Sequence, residues 1–381
     1  MTTQGIIIKG ATTPGVGQVM FSKFGGSSFT PMSNVKKIAD EVIVNVEKGI
    51  KQVVFCSAPA GLTDNFKHMA QQFGDLALSS ALDGLTMSSD LVGAQLLQHA
   101  LLAKGHKVKV LDGRSNGIIT DDNIGGSAVL EVNADKLYAE LADVDICVLP
   151  GGQGHSADRQ WHWLGKNSSD LSCVLLTIAG GAQQCAIHSD VDAVYSADPN
   201  IISEATPYEK IDYDTLITAA RLGAKVMHPN AVFNAQRNGV EIHCKLNKLP
   251  FNTGTKIGNY DSATIVVTDK KAQLLTLAPE HVDTLLQCLI EMNVSAYGSE
   301  DLHILLPGQV LIPMAYSNYG AFLQDRYPQM AIEVSQENAV HVVTGTKVEQ
   351  SCFVTADQLV EVASGFHRDF VKNAAVEVNY V

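Results

Sequence analysis

Several patterns that mark particular classes of protein are missing from this 381-residue chain. The seven cysteines are odd in number and show no CxxC spacing, which favours a reduced cytosolic protein with buried thiols. The twelve histidines show no HExxH or other close spacing, so we expect no structural metal site. No run of about 18 apolar residues and no basic, apolar leader is found. We therefore expect a cytoplasmic protein without a membrane span.

Positive charge is also scarce. Lysine and arginine number 27 against 40 aspartates and glutamates, which gives a net charge of −13. Binding to nucleic acid or to an anionic membrane relies on a basic surface, so we expect neither partner. Apolar residues make up 46% and charged residues 18%, which excludes a disordered chain or a coiled coil. The length predicts two or three globular domains.

Residues 1–258 alternate between apolar strands and helices. Continuous apolar runs such as KQVVFCSA and VDICVLP are separated by segments with helical spacing. This alternation predicts a mostly parallel sheet sandwiched by helices. One predicted helix spans 88–104, capped by Ser88 or Ser89. The only two tryptophans, Trp161 and Trp163, fall in a segment that either forms a mobile hairpin over the active site or serves ordinary packing.

A polar stretch at 251–262 marks a change in pattern. The residues after it contain shorter, more amphipathic strands, including LHILL at 302–306 and VLIPMAY. We therefore predict a domain over 1–258 and a smaller α+β region over 259–381. The segment that precedes residue 18 could form an extra strand or an oligomer contact.

Five polar clusters punctuate the first region, and most lie at strand ends or helix starts. In an open α/β sheet these ends form one edge, where ligands bind. Glycines there let backbone N–H groups approach phosphate oxygens, and lysines add charge. The clusters predict a phosphate-handling enzyme rather than five unrelated turns. They occupy 23–28, 150–154, 165–170, 189–199 and 223–229.

The spelling and order of these clusters resemble the amino acid kinase superfamily, and within it the aspartokinases. KFGGSS resembles the family's KFGGTS, SAPAGLTD resembles SAMAGVTN, and PGGQG resembles its G-(F)-Q-G strand end. GKNSSD stands where the family has GRGGSD, SDVDAVYSADPN resembles TDVDGVYTADPR, and GAKVMHP resembles GAKVLHP. The resemblance covers about 18–258, and TGTKI at 253–257 closes it. Residues 259–381 resemble the ferredoxin-like ACT regulatory domains only faintly.

The resemblance implies roles for individual residues. Lys23 would contact the transferring phosphoryl group as a catalytic residue. Asp170, the second catalytic residue, would orient the Lys23 side chain. The phosphate-binding residues would be Gly25, Gly26, Ser27 and Lys225. The nucleotide-binding residues would be Ser189, Asp190, Tyr195, Asp198, Asn200 and Val226. The substrate-binding residues would be Thr63, Asp90, Lys166, Asn167, Ser168 and Ser169.

The resemblance also implies a reaction. It is the ATP-dependent phosphorylation of the β-carboxylate of L-aspartate to 4-phospho-L-aspartate, a first step in amino acid or specialised biosynthesis. The cofactors would be ATP and Mg²⁺, the latter held mainly by the nucleotide, with no metal bound by the chain itself. The family's habit implies a homodimer or higher oligomer formed through the C-terminal region.

Four departures from the family's motifs leave the substrate open. Asp90 aligns with a glutamate that pairs with the substrate's amino group, and Lys166 aligns with an arginine that grips a carboxylate. Asn167-Ser168 replaces two glycines, and Asn200 replaces a nucleotide-side arginine. Three interpretations remain: aspartate with rearranged contacts, another amino acid or carboxylate, or a catalytically weak regulatory or binding subunit. The retained lysines and aspartate on the phosphate side argue against the last.

Overall fold

The structure is a computed structural model that describes residues 6–12, 16–74, 79–248, 251, 254–291, 294–313 and 319–372. The chain forms two compact units. The first unit comprises Gln4–Ala193 and Asn230–Gly258, and the second comprises Val194–Pro229 and Asn259–Val381. The sequence-based boundary after residue 258 and the ACT-like assignment stay predictions.

The helices and strands of the described residues are as follows. The strands are β1 (Ile7–Lys9), β2 (Val19–Phe24), β3 (Lys51–Cys56), β4 (Val108–Val110), β5 (Ile118–Thr120), β6 (Val129–Asn133), β7 (Ile146–Pro150), β8 (Gln153–His155), β9 (Trp161–Trp163), β10 (Gln184–Ser189), β11 (Val194–Tyr195), β12 (Pro207–Tyr208), β13 (Lys210–Asp212), β14 (Glu241–Leu246), β15 (Gly254–Gly258), β16 (Thr264–Thr276), β17 (Gln309–Ile312), β18 (Glu333–Thr344) and β19 (Lys347–Val354). The α-helices are α1 (Asn34–Glu47), α2 (Leu62–Gln71), α3 (Ser80–Leu102), α4 (Asp135–Asp143), α5 (Ser169–Ala179), α6 (Tyr213–Arg221), α7 (Pro229–Asn238), α8 (Val282–Glu291), α9 (Tyr319–Arg326) and α10 (Leu359–Phe366). A π-helical turn, His367–Lys372, continues α10.

The main sheet of the first unit has the strand order β15-β14-β10-β2-β3-β7-β4. All neighbouring pairs are parallel except β14 with β15. Apolar residues of α1 and α3 pack with Phe24 and Val54 on one face. Phe21 points to the opposite face, because side chains alternate along a strand, and there it approaches Gly180 at the end of α5. The predicted sheet sandwiched by helices is confirmed.

A second sheet of the first unit has the order β1-β6-β5-β8-β9. Strands β8 and β9 form an antiparallel hairpin in which Gln153 pairs with Trp163 and His155 pairs with Trp161. Trp161 and Trp163 therefore lie on the second strand of a hairpin. Strand β1 pairs with β6, so part of the segment before residue 18 does form an extra strand.

One sequence-based helix boundary and one predicted strand were wrong. Helix α3 begins at Ser80, and the Ser79 side chain accepts a hydrogen bond from the Leu82 N–H at 3.1 Å. Ser88 and Ser89 lie inside the helix, where their hydroxyls donate to the carbonyls of Gly84 and Thr86. Serines that bond back to the helix resemble N-caps in sequence, which explains the error.

The run LHILL at 302–306 is not a strand. Its buried residues, Leu302 and Leu305, are three positions apart, whereas a strand that buries one face would bury alternate positions. A short apolar run carries too little periodicity to distinguish a strand from a turn that buries two leucines.

The second unit contains an antiparallel sheet of order β17-β16-β18-β19. One apolar cluster joins Val266, Val340 and Val342 of this sheet to Leu359 and Ala363 of α10. Another lies toward α8 and α9, around Leu275, Leu289 and Leu323. Strands β11 and β12 form a short antiparallel pair in the same unit. In the part of the chain that the structure describes, no helix has the length and apolar content needed to cross a membrane.

Candidate active site

The two predicted catalytic residues form a buried ion pair in the first unit. Lys23 lies near the carboxyl end of β2, and its Nζ is 2.8 Å from Oδ1 of Asp170 in the first turn of α5. Both side chains are about nine-tenths buried. The partial positive charge at the N-terminus of α5 also favours the Asp170 carboxylate. The structure thus holds the Lys23 ammonium group in a fixed position at the edge of the sheet.

The glycine loop after Lys23 is packed closely against its neighbours. The Gly25 N–H donates to the His188 carbonyl at 3.0 Å. A Cβ on Gly26 would lie 2.5 Å from the Ala58 carbonyl oxygen, so no larger residue fits there. The Ser27 hydroxyl accepts a hydrogen bond from the Asn247 side-chain amide at 2.7 Å. These contacts fix the backbone of the predicted phosphate-binding loop.

His188 supports this loop from the neighbouring strand β10. Its ring stacks on Phe24 at 4.3 Å between centroids, and Phe251 meets both rings edge-on. Burial, assisted by the charges of Lys245 and Lys23, lowers the pKa of His188 to about 4, so the ring is neutral at pH 7. Ser189 and Asp190 follow directly, with Ser189 half-buried and Asp190 exposed.

The predicted substrate residues Asp90 and Thr63 meet the loops after β3. An Asp90 carboxylate oxygen accepts the Ala58 N–H at 2.7 Å, and the Thr63 hydroxyl lies 2.8 Å from that of Ser89. The Ser169 hydroxyl, one residue before Asp170, lies 2.9 Å from the Ser57 hydroxyl. Asp90 thus accepts a backbone N–H from the loop that follows β3.

Two glycines allow these loops to approach each other. A Cβ on Gly93 would lie 2.3 Å from the Ser57 carbonyl oxygen, and one on Gly151 would lie 2.3 Å from Cβ of Ser169. Helix α3 and the loop after β7 can therefore reach the site only with glycine at these positions.

The protonation of Asp90 is poised near neutrality. Burial raises the pKa of its carboxyl group to about 7, although the Ala58 N–H and the charge of Lys23 both favour the ionised form. An arriving ammonium group would favour ionisation further. Asp90 therefore suits the recognition of an amino group.

The loop before α5 explains one departure from the family's motif. Asn167 has φ 61°, in the left-handed region that asparagine tolerates better than most residues other than glycine. Lys166 and Asn167 are exposed, whereas Ser168 is buried and its hydroxyl donates to the Gly165 carbonyl. Asparagine thus suits the left-handed backbone at this position of the loop.

The tryptophan hairpin borders that loop. A Cβ on Gly152 would lie 2.7 Å from the Ser168 hydroxyl and 3.8 Å from Nε1 of Trp163. Lys67 on α2 lies over the Trp163 ring, with Nζ 5.4 Å from its centroid. Trp161 donates instead to the Gln153 side chain at 3.1 Å. Trp163 therefore lies beside the predicted substrate loop, and Trp161 serves packing of the hairpin.

Five predicted residues lie in the second unit. Tyr195 is half-buried in β11, and the Asp198 carboxylate accepts the backbone and side-chain N–H groups of Asn200 at 2.9 and 3.0 Å. Asp198, Asn200 and Lys225 are exposed, and Val226 is half-buried. The structure therefore groups the catalytic, substrate and glycine-loop residues in one unit and Tyr195, Asp198, Asn200, Lys225 and Val226 in the other.

Sequence reasoning missed several residues that shape the site. Ser57 and Ser89 were adjacent to recognised motifs, so the motif ends could have indicated them. His188 directly precedes Ser189 and could have been included on that ground. Asn247 lies 220 positions from Ser27, and no local pattern links the two.

Within the described residues, no group of three or more histidine, cysteine, aspartate or glutamate side chains is placed to hold a metal ion. Binding of Mg²⁺ through the nucleotide stays a prediction.

Known proteins resemble this chain in sequence. The model of the Amino acid kinase family matches residues 18–245. The chain is 32% identical to an aspartokinase of Thermus thermophilus over 239 residues, which cover 63% of this chain and 59% of that protein. It is 30% identical to an aspartokinase of Geobacillus stearothermophilus over 227 residues, or 60% of this chain and 56% of that one. The match thus spans less than two thirds of these relatives.

Solved structures show a similar fold. The structure of E. coli aspartokinase III in complex with aspartate and ADP covers 93% of this chain and 99% of its own, with a TM-score of 0.74 and 19% identity. The form of that protein in complex with lysine and aspartate has a TM-score of 0.66 with the same coverage and identity. At this level of identity the likeness concerns the fold.

Proposed function

The chain belongs to the amino acid kinase family, and from this premise we propose that it transfers the γ-phosphoryl group of ATP to the β-carboxylate of L-aspartate. The observation that carries the proposal is the buried Lys23–Asp170 pair beside the glycine loop, in the same unit as Asp90 and Thr63. The aspartokinase relatives support the choice of aspartate. The retained ion pair supports an active kinase over a binding subunit.

The residues suit transfer to a carboxylate. An aspartate side chain has a pKa of about 4, so at pH 7 it is already a nucleophile and needs no general base. A carboxylate oxygen forms a bond to the γ-phosphorus while the bond from that phosphorus to the β,γ-bridging oxygen breaks, and ADP leaves with the electron pair. The difficulty is the repulsion between two anions. Lys23 and the N–H groups of Gly26 and Ser27 would stabilise the developing charge, since the Gly25 N–H already donates to the His188 carbonyl.

The substrate would be oriented by the groups around Asp90. The ionised Asp90 carboxylate would bind the α-amino group, and Thr63 would contact the amino acid. Lys166 would attract a carboxylate as a point charge, since lysine lacks the two-pronged geometry of arginine. Asn167 and Ser168 would shape the loop, and Ser169 would contribute its hydroxyl.

Further residues would contact the nucleotide. Gly25, Gly26, Ser27 and Lys225 would contact phosphates. Ser189, Asp190, Tyr195, Asp198, Asn200 and Val226 would contact the rest of the nucleotide. Mg²⁺, held mainly by the phosphates, would supply further charge neutralisation. A cytoplasmic location, a homodimer or higher oligomer formed through the C-terminal region, and a role in amino acid or specialised biosynthesis belong to the same proposal.

The test is ATP-dependent formation of an acyl phosphate from L-aspartate, trapped with hydroxylamine. Wild-type protein should turn over, and Lys23→Ala should not. Lys136→Ala, at an exposed position on α4, is the matched control and should keep the wild-type rate.

Two outcomes would contradict the proposal. Turnover with another amino acid or dicarboxylate but not with aspartate would reject the assigned substrate. Binding of ATP, measured by calorimetry, without turnover of any carboxylate would indicate a regulatory or binding subunit.

A further inference from the structure

In the second unit, the segment that carries Tyr195, Asp198 and Asn200 makes a buried polar contact with the end of the C-terminal helix, between Ser196 and His367. We propose that His367 is a positioning residue for ATP binding, acting through its hydrogen bond to Ser196. The inference rests on the proposed function, because that function assigns Tyr195, Asp198 and Asn200 to the nucleotide.

Ser196 lies at the centre of this segment and is fully buried. Its hydroxyl accepts the Thr206 N–H at 2.9 Å and lies 2.8 Å from Nε2 of His367. Its backbone N–H donates to the Thr206 carbonyl, and its carbonyl accepts the Val266 N–H of β16, each at 2.9 Å. Ser196 thus joins the segment to the C-terminal sheet by its backbone and to the C-terminal helix by its side chain.

His367 begins the π-helical turn after α10 and is also fully buried. Its Nε2 faces Ser196, and its Nδ1 has no hydrogen-bond partner among the described residues. A buried polar atom without a partner is costly, and an apolar side chain of similar size would avoid that cost. The imidazole is therefore better explained by its contact with Ser196 than by packing alone.

The surroundings keep the helix in place without this hydrogen bond. Ala197 and Ile202 of the segment share an apolar cluster with Val266, Leu359 and Ala363. At the periphery, Lys372 Nζ lies 2.7 Å from a Glu204 carboxylate oxygen. Removal of the imidazole should therefore shift Ser196 locally rather than release the helix.

A local shift would reach the proposed nucleotide residues directly. Tyr195 is the neighbour of Ser196, and Asp198 is two residues away. Consecutive Cα atoms are only about 3.8 Å apart, so a displaced Ser196 must move both. The expected consequence is weaker ATP binding with aspartate binding unchanged, since the substrate residues lie in the first unit.

The segment that carries Lys225 also lies close to strand β16 and to Ala263, the residue before it. Gly223, two residues before Lys225, has φ 114°, and a Cβ there would lie 3.0 Å from Cβ of Asp269. Helix α6, which leads to this segment, donates from the Thr215 hydroxyl to the Ala263 carbonyl at 3.0 Å. The C-terminal sheet therefore supports both proposed nucleotide segments of this unit.

The experiment compares His367→Leu with His341→Leu. His341 is a matched control, because it is a fully buried histidine of the same unit, on β18, and its Nδ1 lies 2.7 Å from the Ser351 hydroxyl on β19. Calorimetry would measure the Kd for ATP with Mg²⁺, and the hydroxylamine assay would measure KM for ATP and for aspartate. Thermal unfolding would report the stability of each variant.

We expect His367→Leu to raise Kd and KM for ATP about three- to tenfold, the factor that corresponds to one buried hydrogen bond. KM for aspartate should stay unchanged, and His341→Leu should alter neither ligand. Ser196→Ala should reproduce the effect, and combining it with His367→Leu should add nothing further. His367→Gln, which can still place an amide near Ser196, should bind ATP almost as wild type.

Other results would overturn the inference. They are an unchanged ATP Kd in a folded His367→Leu variant, or equal losses for ATP and aspartate. The same ATP loss in His341→Leu would also show that the effect is general destabilisation. If His367→Leu fails to fold, Ser196→Ala and His367→Gln decide by the same readouts. Wild-type protein that binds ATP but forms no acyl phosphate would reject the proposed function and leave the ATP Kd comparison valid.

Discussion

The proposed site residues differ between the two units in how the protein holds them. In the first unit, Lys23, Asp170, Asp90 and Thr63 are at least partly buried and bound to other side chains or to backbone groups from distant parts of the chain. In the second unit, the charged residues Asp198 and Lys225 are exposed. Buried polar groups fix geometry at the expense of stability, whereas exposed groups cost little.

The difference implies two kinds of mutational response. Changes at the buried positions of the first unit should alter both activity and stability, because each of these side chains is also part of the packed interior. Changes at the exposed positions of the second unit should alter ATP binding alone. Four substitutions test this contrast, from the largest expected effect to the smallest.

Asp170→Ala should have the largest effect. It leaves Lys23 buried without its carboxylate, which should cost about 3–5 kcal/mol of stability. It should also lower kcat about 10²- to 10³-fold, because the cation loses its fixed position. Urea unfolding and the hydroxylamine assay measure the two effects. Normal stability with reduced activity would contradict the interpretation of this pair as part of the interior.

Asp90→Asn should raise KM for aspartate about tenfold, because the amide cannot form the charged contact with the substrate's amino group. In wild type, KM for aspartate should fall as pH rises through about 7, where the buried Asp90 carboxyl ionises. The variant should lose this dependence. A pH profile of kcat/KM measures it, and the same inflection in the variant would assign it to another group.

Asp90→Asn should raise stability, whereas Asp170→Ala should lower it. Because burial raises the folded-state pKa of Asp90, the folded protein holds its proton between about pH 4 and 7 while the unfolded chain releases it. Stability from this group therefore falls as pH rises through that window. Asp90→Asn should be more stable than wild type at pH 8 by on the order of 2–4 kcal/mol, and equal to it near pH 4. Asp143→Asn, an exposed control, should show no such difference.

Lys225→Ala should raise KM for ATP about three- to tenfold, consistent with loss of one hydrogen bond to a charged phosphate. The melting temperature should not change, because Lys225 is exposed. Lys347→Ala, an exposed lysine on β19, is the control and should leave both values unchanged. A lower melting temperature for Lys225→Ala alone would break the contrast between the units.

Lys166→Arg should have the smallest effect. Arginine can bind a carboxylate with two parallel hydrogen bonds, so KM for aspartate should fall about two- to fivefold if aspartate is the natural substrate. A higher KM would indicate that the loop, with Asn167 and Ser168 in it, is shaped for another carboxylate. Steady-state kinetics with aspartate and a panel of dicarboxylates distinguishes these results.

The sequence was most informative where apolar strands and local motifs coincide. The parallel sheet follows from continuous apolar runs such as β7, which is buried at every position. The resemblance to known motifs also predicted that Lys23 and Asp170 act together. It could not indicate partners contributed by remote residues, such as Asn247 on Ser27 or His367 on Ser196, because those contacts arise from tertiary packing. Nor could it locate the start of α3, since serines within a helix resemble N-caps.

The path of the chain between the two units limits how such a protein can be rearranged during evolution. The chain leaves the first unit after Ala193, returns after Pro229 and leaves again after Gly258. A recombination event that replaced only residues 259–381 would retain Val194–Pro229 but discard its partners Val266 and His367. Exchange of the C-terminal part alone would therefore remove these hydrogen bonds. We expect this part to be inherited together with the 36-residue segment that ends at Pro229, and we expect substitutions in the two segments to be correlated among descendants of one ancestor.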